Sequence, residues 1–219
     1  MGFLEPERYF SRISHIDVQR DLLDLGLRHA LLDIDNTILA RDTHAVPRDV
    51  AVWLGKARTA GVDFCLVSNN WHESVLELAA ELELPIVAKA MKPLPHGFVL
   101  GMRKLNAKSA NTVVIGDQLS TDIVGAHVVG LVAYMLQPLA EQDLRHTLVL
   151  RNIERAILGD REPEPAPACW DEPGSHVLAP VAIQRARWAL RTLLWRQERI
   201  FFAGALRPAA FPEERASNE

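Results

Sequence analysis

Four short polar clusters punctuate an otherwise apolar stretch of this chain. They are Asp33-Ile34-Asp35-Asn36-Thr37, Ser68-Asn69-Asn70, Lys92-Pro93 and Gly116-Asp117, the last followed by Thr121 and Asp122. Each follows a run of apolar residues with strand character. In an extended chain, residues i and i+2 share a face, so the Asp33 and Asp35 carboxylates can meet one substrate. Small hydrogen-bonding side chains at the start of a helix, as in Ser68-Asn69-Asn70, sit where backbone N–H groups favour an anion. Taken singly, two aspartates fit a surface loop, Ser68 a capping neighbour, Lys92 a solvated lysine and Gly116-Asp117 a turn. Four such clusters in order at four successive strand ends are hard to assign to coincidence, because ligands of open parallel sheets bind at the carboxyl ends of the strands.

The elements that must position these clusters can be read from hydrophobic period and punctuation. Strands are expected at 29–33, 62–67, 86–88, 112–115 and 131–136. A first helix has Pro47 near its start, apolar Val50, Trp53, Leu54 and Ala57, and Gly61 just beyond it, a proline entry and a glycine exit. A second is expected to open at Asn70 with Glu73 three residues on, a capping-box pattern. Two more fall at about 95–105 and 119–129. Strands alternating with helices predict the α/β class, with a parallel sheet and helices on both faces. A further helix is expected over about 141–158, closing a domain of residues 1–158.

The motifs LLDIDNTIL, VSNN, KP and VIGDQLSTD resemble motifs one to four of the haloacid dehalogenase-like (HAD) superfamily. Within it, they resemble the subfamily IIIA phosphatases of the YqeG type, a branch with relatives acting as phosphatidylglycerophosphate phosphatases. The resemblance covers about residues 10–158 and implies a Rossmann-like core. It implies that Asp33 attacks phosphorus and ligates Mg²⁺. Asp35 would protonate the leaving alkoxide, then activate water, with its backbone carbonyl on the metal. Ser68 and the Asn69 amide would hold the phosphate, Lys92 would neutralise it, and Asp117 would be the remaining carboxylate on Mg²⁺. Asp122 would orient Lys92 or a metal-bound water, with Thr37 in a supporting role. Physical reasoning agrees: a phosphate dianion repels a carboxylate nucleophile, and a hard, oxygen-ligated cation with one lysine offsets that repulsion. Asp35 favours phosphate esters over a dehalogenase-like reaction, which lacks that acid.

Spacing bears on the substrate. Residues 38–67 separate Thr37 from Ser68 and residues 71–91 separate Asn70 from Lys92; a helix, or a helix and a strand, fills each. No room is left for a cap domain. An open site suits a large or surface-bound substrate, or one covered by a second subunit. Residues 159–180 carry Pro163, Pro165, Pro167, Pro173 and Pro180 among acidic residues and read as an extended linker. Over 181–206, Ile183, Ala186, Leu190, Leu193, Leu194 and Phe201 share a helical face, with Arg185, Arg196 and Arg199 opposite and Trp188 and Trp195 at the boundary. This basic amphipathic helix fits either peripheral contact with a membrane or packing on the domain or another subunit. The apolar N-terminal Phe3, Leu4, Tyr9, Phe10 and Ile13 fit either surface too. Residues 207–219 form a polar tail.

Bulk properties narrow the classes. A formal net charge of -4 argues against nonspecific nucleic-acid binding. Cys65 and Cys169 are far apart and make no metal pair or disulfide framework, which fits a reducing cytoplasmic setting. The N-terminus lacks the apolar run of a signal peptide, and no apolar stretch is long enough to span a bilayer. The expected partner is a phosphorylated substrate, a membrane phospholipid such as phosphatidylglycerophosphate or a soluble nucleotide or sugar phosphate. A non-catalytic interaction protein on the same fold is the reading from another class.

Overall fold

In the computed structural model of the chain, the described residues are 2–40, 45–139, 158–159 and 161–167. They form six parallel strands: β1 Arg8–Phe10, β2 His29–Leu32, β3 Asp63–Val67, β4 Ile86–Val87, β5 Thr112–Gly116 and β6 Val132–Leu136. Their order across the sheet is β1-β6-β5-β2-β3-β4. From β2 the chain winds outward through β3 to β4, then crosses back to β5 and winds the other way to β6. The sheet therefore reverses between β2 and β5, and the crevice above such a switch point is where open α/β sheets bind ligands.

Strand alternation sorts the core into two layers. Ala30 and Leu32 of β2, with Phe64, Leu66, Val113 and Ile115, face α1 (Arg48–Thr59) and α2 (Glu73–Glu81) through Val50, Trp53, Leu54, Ala57, Val75 and Leu78. Leu31, Cys65, Val67, Val114, Ala133 and Met135 face the opposite layer, where α3 (Pro95–Leu105) contributes Phe98. Ile123 and Ala126 join that layer from a wide π-type turn, Leu119–Ile123, that runs straight into the short α4, Val124–Val128. Close packing there needs Gly125: a Cβ at this position would lie 2.4 Å from the Phe98 ring. Helices thus cover both faces, as a parallel sheet requires. The described residues contain no cap domain and no helix long and apolar enough to cross a membrane.

The expected strands appear, each with one end shifted by one residue, but α2 starts later than expected. Its N-cap is His72, and Asn70 instead accepts a bond from the His72 N–H at 3.0 Å. The Asn70 side chain closes a local turn before the helix, the usual competitor to a cap. Edge strand β1 was not anticipated. It pairs with β6 in the register Arg8↔Tyr134 to Phe10↔Leu136. The N-terminal apolar residues divide: Phe10 and Ile13 are fully buried and Tyr9 nearly so, while Phe3 and Leu4 stay exposed.

Residues 161–167, within the expected linker, are extended but lie against the domain. The Glu164 N–H donates to Tyr9 O at 2.7 Å, and Glu164 pairs in parallel with Phe10 along the free edge of β1. Arg8 fixes the junction. Its guanidinium donates to Asp21 and to both oxygens of Glu164, and lies over the Phe10 ring at 4.8 Å. A covered edge strand presents no open row of N–H and C=O groups. The helix expected at 141–158 lies almost entirely outside the described residues, as do 168–219 with the basic amphipathic stretch.

A second clamp ties the N-terminal turns to α1. Arg12 grips Asp49 in a two-pronged pair at 2.7 and 2.9 Å, and the Ser14 hydroxyl donates to the same carboxylate at 2.8 Å. Burial alone would push the Asp49 carboxyl up; Arg12 and Ser14 outweigh it and hold it below the usual range. A depressed carboxylate contributes stability above its unfolded value, about 3.9, and loses it as pH falls through the folded value. Asp49→Asn should therefore cost about 1–2 kcal/mol at pH 7. The gap from wild type should close on acidification below about pH 4. Urea midpoints from pH 7 to 3 measure this; a gap independent of pH would contradict the ion-pair account.

Candidate active site

Asp33 is the first residue beyond β2, and its N–H still donates to Ile115 O of β5 at 3.0 Å. The ladder thus carries the nucleophile candidate to the switch point. The loop then turns tightly: Asn36 adopts φ 62°, and the Thr37, Ile38 and Leu39 N–H groups all converge on Ile34 O. Ile34 and Ile38 are fully buried, so the loop is pinned by its own apolar residues. Thr37 Oγ1 reaches back to Asp33 Oδ2 at 3.4 Å. Asp35 lies at the pocket wall and is half-buried.

The loops after β3 and β4 are laced together. Ser68 Oγ accepts from the Asn70 N–H at 3.0 Å, while Ala90 N donates to Ser68 O at 2.9 Å. Asn69 holds the lysine backbone from both ends, its Oδ1 accepting from Lys92 N at 2.6 Å and its Nδ2 donating to Lys92 O at 3.1 Å. The Asn69 carboxamide is therefore a positioning group for Lys92. The Lys92–Pro93 peptide is cis.

Lys92 is the electrostatic centre. Its Nζ lies 2.5 Å from Asp33 Oδ1 and 2.6 Å from Asp122 Oδ1, all three side chains being less than a tenth exposed. Burial acts to lower the lysine pKa, but Asp122 and Asp33 outweigh it and the ammonium is held above its usual value. For Asp122, burial pushes the carboxyl up to about 6, with Lys92 pulling down and Asp33 adding to the rise. The second Asp122 oxygen accepts from Gln118 N at 3.2 Å. This carboxylate fits only because residue 116 has no side chain: a Cβ on Gly116 would lie 2.4 Å from Asp122 Cγ.

Asp117, buried one residue beyond β5, completes the set. One carboxylate oxygen each from Asp33, Asp117 and Asp122 lie within 4.8 Å of one another. With Asp35, four carboxylates face one ammonium, an imbalance that a hard dication with oxygen ligands would correct. The residues thus fit a Mg²⁺ site. Asp35 is outside this carboxylate trio, whereas Asp122 is inside it while also paired to Lys92. The pocket, about 110 Å³, gathers Asp33, Asp35, Ser68, Asn69, Lys92 and Asp122. Gln118 and Thr121 also line it and bond to each other, Thr121 Oγ1 donating to Gln118 Oε1 at 3.2 Å. Neither was assigned a role from sequence; their place inside the Gly116-to-Asp122 run was the available signal.

Comparison with known proteins defines the class. Residues 6–130 match the family model described as haloacid dehalogenase-like hydrolase, and the chain belongs to that family. Its similarity to the "Probable phosphatase YqeG" of Bacillus subtilis (strain 168) is 32% identity over 157 residues, 71% of this chain and 90% of that protein. Among solved structures, an uncharacterized protein from Listeria monocytogenes serotype 4b matches at 18% identity with TM-score 0.44, covering 57% of this chain and 99% of the other. The cobalt-bound deoxy-D-mannose-octulosonate 8-phosphate phosphatase (YrbI) of Haemophilus influenzae matches at 11% identity with TM-score 0.42, covering 61% and 88%.

Two outcomes are expected. Gly116→Ala should displace Asp122 from Lys92 and lower kcat/KM by on the order of 10²-fold, with circular dichroism unchanged; activity within twofold of wild type would contradict the close fit. Mg²⁺ at about 100 times its Kd should stabilise the wild type by about 2.7 kcal/mol, read as a rise in Tm. Asp117→Asn should remove that rise. A rise of equal size in the variant would place the cation elsewhere.

Proposed function

We propose that this phosphatase hydrolyses a phosphomonoester through an aspartyl-phosphate on Asp33. The observation that carries the reading is the buried Lys92 ammonium held 2.5 Å from one Asp33 oxygen and 2.6 Å from Asp122. Asp33, Asp117 and the Asp35 backbone carbonyl would hold Mg²⁺. Bound there, Mg²⁺ supplies positive charge that lets an anionic phosphoryl group approach a carboxylate.

Every other step belongs to the chain's own residues. Ser68 and the Asn69 N–H fix the phosphoryl oxygens, and Lys92 shares its protons between them and Asp33. Asp33 attacks phosphorus; the P–O bond to the leaving group breaks as the Asp35 carboxyl gives its proton to the departing alkoxide. Asp35, now a carboxylate, takes a proton from water as the water oxygen bonds to phosphorus and the Asp33–phosphorus bond breaks. The products are the alcohol and inorganic phosphate, and Asp33 is restored. Splitting the reaction into two displacements replaces one difficult hydrolysis by two easier steps.

The substrate we favour is phosphatidylglycerophosphate at the cytoplasmic face of a membrane. The lack of a cap over the pocket among the described residues supports this, since it suits a bulky ester anchored in a surface, and so does the similarity to a YqeG-type relative.

Phosphate release from phosphatidylglycerophosphate in mixed micelles, beside a panel of soluble phosphate esters, tests both levels. The lipid should be turned over far faster than the panel. Chelator and Asp33→Asn should each abolish turnover, and Asp35→Asn should lower it by on the order of 10²–10⁴-fold. Turnover of soluble esters alone would keep the chemistry and overturn the lipid substrate. Turnover by Asp33→Asn at the wild-type rate would overturn the nucleophile.

A further inference from the structure

The two loops that hold Ser68, Asn69 and Lys92 carry a second set of side chains on their outer surface. Trp71 is 63% exposed, Met91 49% and Leu94 55%, large apolar groups with ample chance to be buried in a chain that buries so many others. Lys89 lies over the Trp71 ring at 5.7 Å, and His72 stacks beside it. From 89 to 92 the chain alternates exposed Lys89, buried Ala90, exposed Met91 and buried Lys92. Both exposed members have left-handed backbone, φ 52° and 56°, a conformation that costs a non-glycine residue on the order of 1 kcal/mol or more. Loop lacing holds them there, with Lys89 N on Asn70 O at 3.2 Å and Ala90 N on Ser68 O at 2.9 Å. Lys89 and Trp71 thus meet across the two loops, and exposed Met91 and Leu94, joined by Leu94 N on Met91 O at 2.9 Å, flank the pocket-lining Lys92. Leu76 is exposed too, but it lies between Glu73 and Glu77 on α2 and is not part of this set.

We propose that Trp71, Lys89, Met91 and Leu94 form a docking surface that seats the open pocket on an anionic lipid bilayer. Trp71, Met91 and Leu94 lie within two positions of the pocket-lining Asn69 or Lys92, so a body resting on them lies beside the site, and the fitting occupant is one that itself presents phosphate esters. A bilayer does so immediately above apolar carbon. Tryptophan is favoured at that boundary, apolar side chains enter the acyl region, and a lysine meets anionic headgroups. The surface rests on the lipid-ester reading above. Vesicle binding is read without turnover, so docking and substrate can fail separately.

The test is co-sedimentation of the full chain with phosphatidylcholine vesicles, with and without phosphatidylglycerol. Wild type is compared with the double variant Trp71→Ala/Leu94→Ala, and hydrolysis of p-nitrophenyl phosphate checks that the variant site is intact. Wild type should partition onto the anionic vesicles and much less onto neutral ones. The double variant should lose about tenfold or more in partition coefficient, the scale of removing buried apolar side chains, and keep wild-type hydrolysis of the small ester. Equal binding by both proteins, binding by neither, or equal binding to neutral and anionic vesicles would overturn the proposal. So would self-association of wild type, lost in the variant without vesicles, which would assign the surface to a second copy.

Discussion

The buried Lys92 ammonium bridging Asp33 and Asp122 is the interaction on which the site depends. Burial of a lone lysine or a lone carboxylate is costly, and each member of this trio is tolerable only because the others are present. The requirement propagates outward. Asp122 can reach Lys92 because Gly116 leaves space for its carboxylate, and because the π-type turn at 119–123 brings it back over the end of β5. Lys92 can reach both acids because Asn69 grips its backbone from the neighbouring loop. Asp33 is carried to the meeting point by the last rung of the β2–β5 ladder. Three separate segments of chain are thereby fixed by one cation.

The sheet supplies the remaining constraint. Its order reverses between β2 and β5, so the two strands that end in Asp33 and Asp117 are neighbours whose following connections diverge. A crevice at that point is a consequence of topology, before any side chain is chosen. Among the described residues, helices on both faces bury the flanks and leave the carboxyl edge as the open side. The arrangement explains why chemistry-bearing residues spread over ninety positions of sequence converge in one pocket.

Much of this was legible beforehand because the signals were local. Apolar runs such as Val62 to Val67, ending in Ser68-Asn69-Asn70, announce both the strand and the place where it stops. The features that escaped were set by distant partners. Strand β1 is three residues long and exists because β6 and Arg8 hold it; no periodicity can emerge from so short a segment. Asn70 carried the composition of a cap but closed a turn one step earlier, since its side chain found the His72 N–H first. The docking of 161–167 on β1 depends on Arg8 and Glu164, 156 positions apart. The proline spacing conveyed extension without conveying a partner. Asn69 was legible as a polar residue of the site, while its grip on Lys92 required the register of two loops.

The central claim is that Asp33 becomes covalently phosphorylated. It is tested most directly by acid-quenching Asp35→Asn during turnover of p-nitrophenyl phosphate, whose leaving group needs no proton, with Mg²⁺, and mapping the phosphoryl group by peptide mass spectrometry. With the residue that activates water replaced, the account predicts an acyl-phosphate that accumulates on Asp33 and is absent with chelator. A variant that turns over substrate with no phosphorylated peptide, or with the phosphoryl group on another residue, would contradict it.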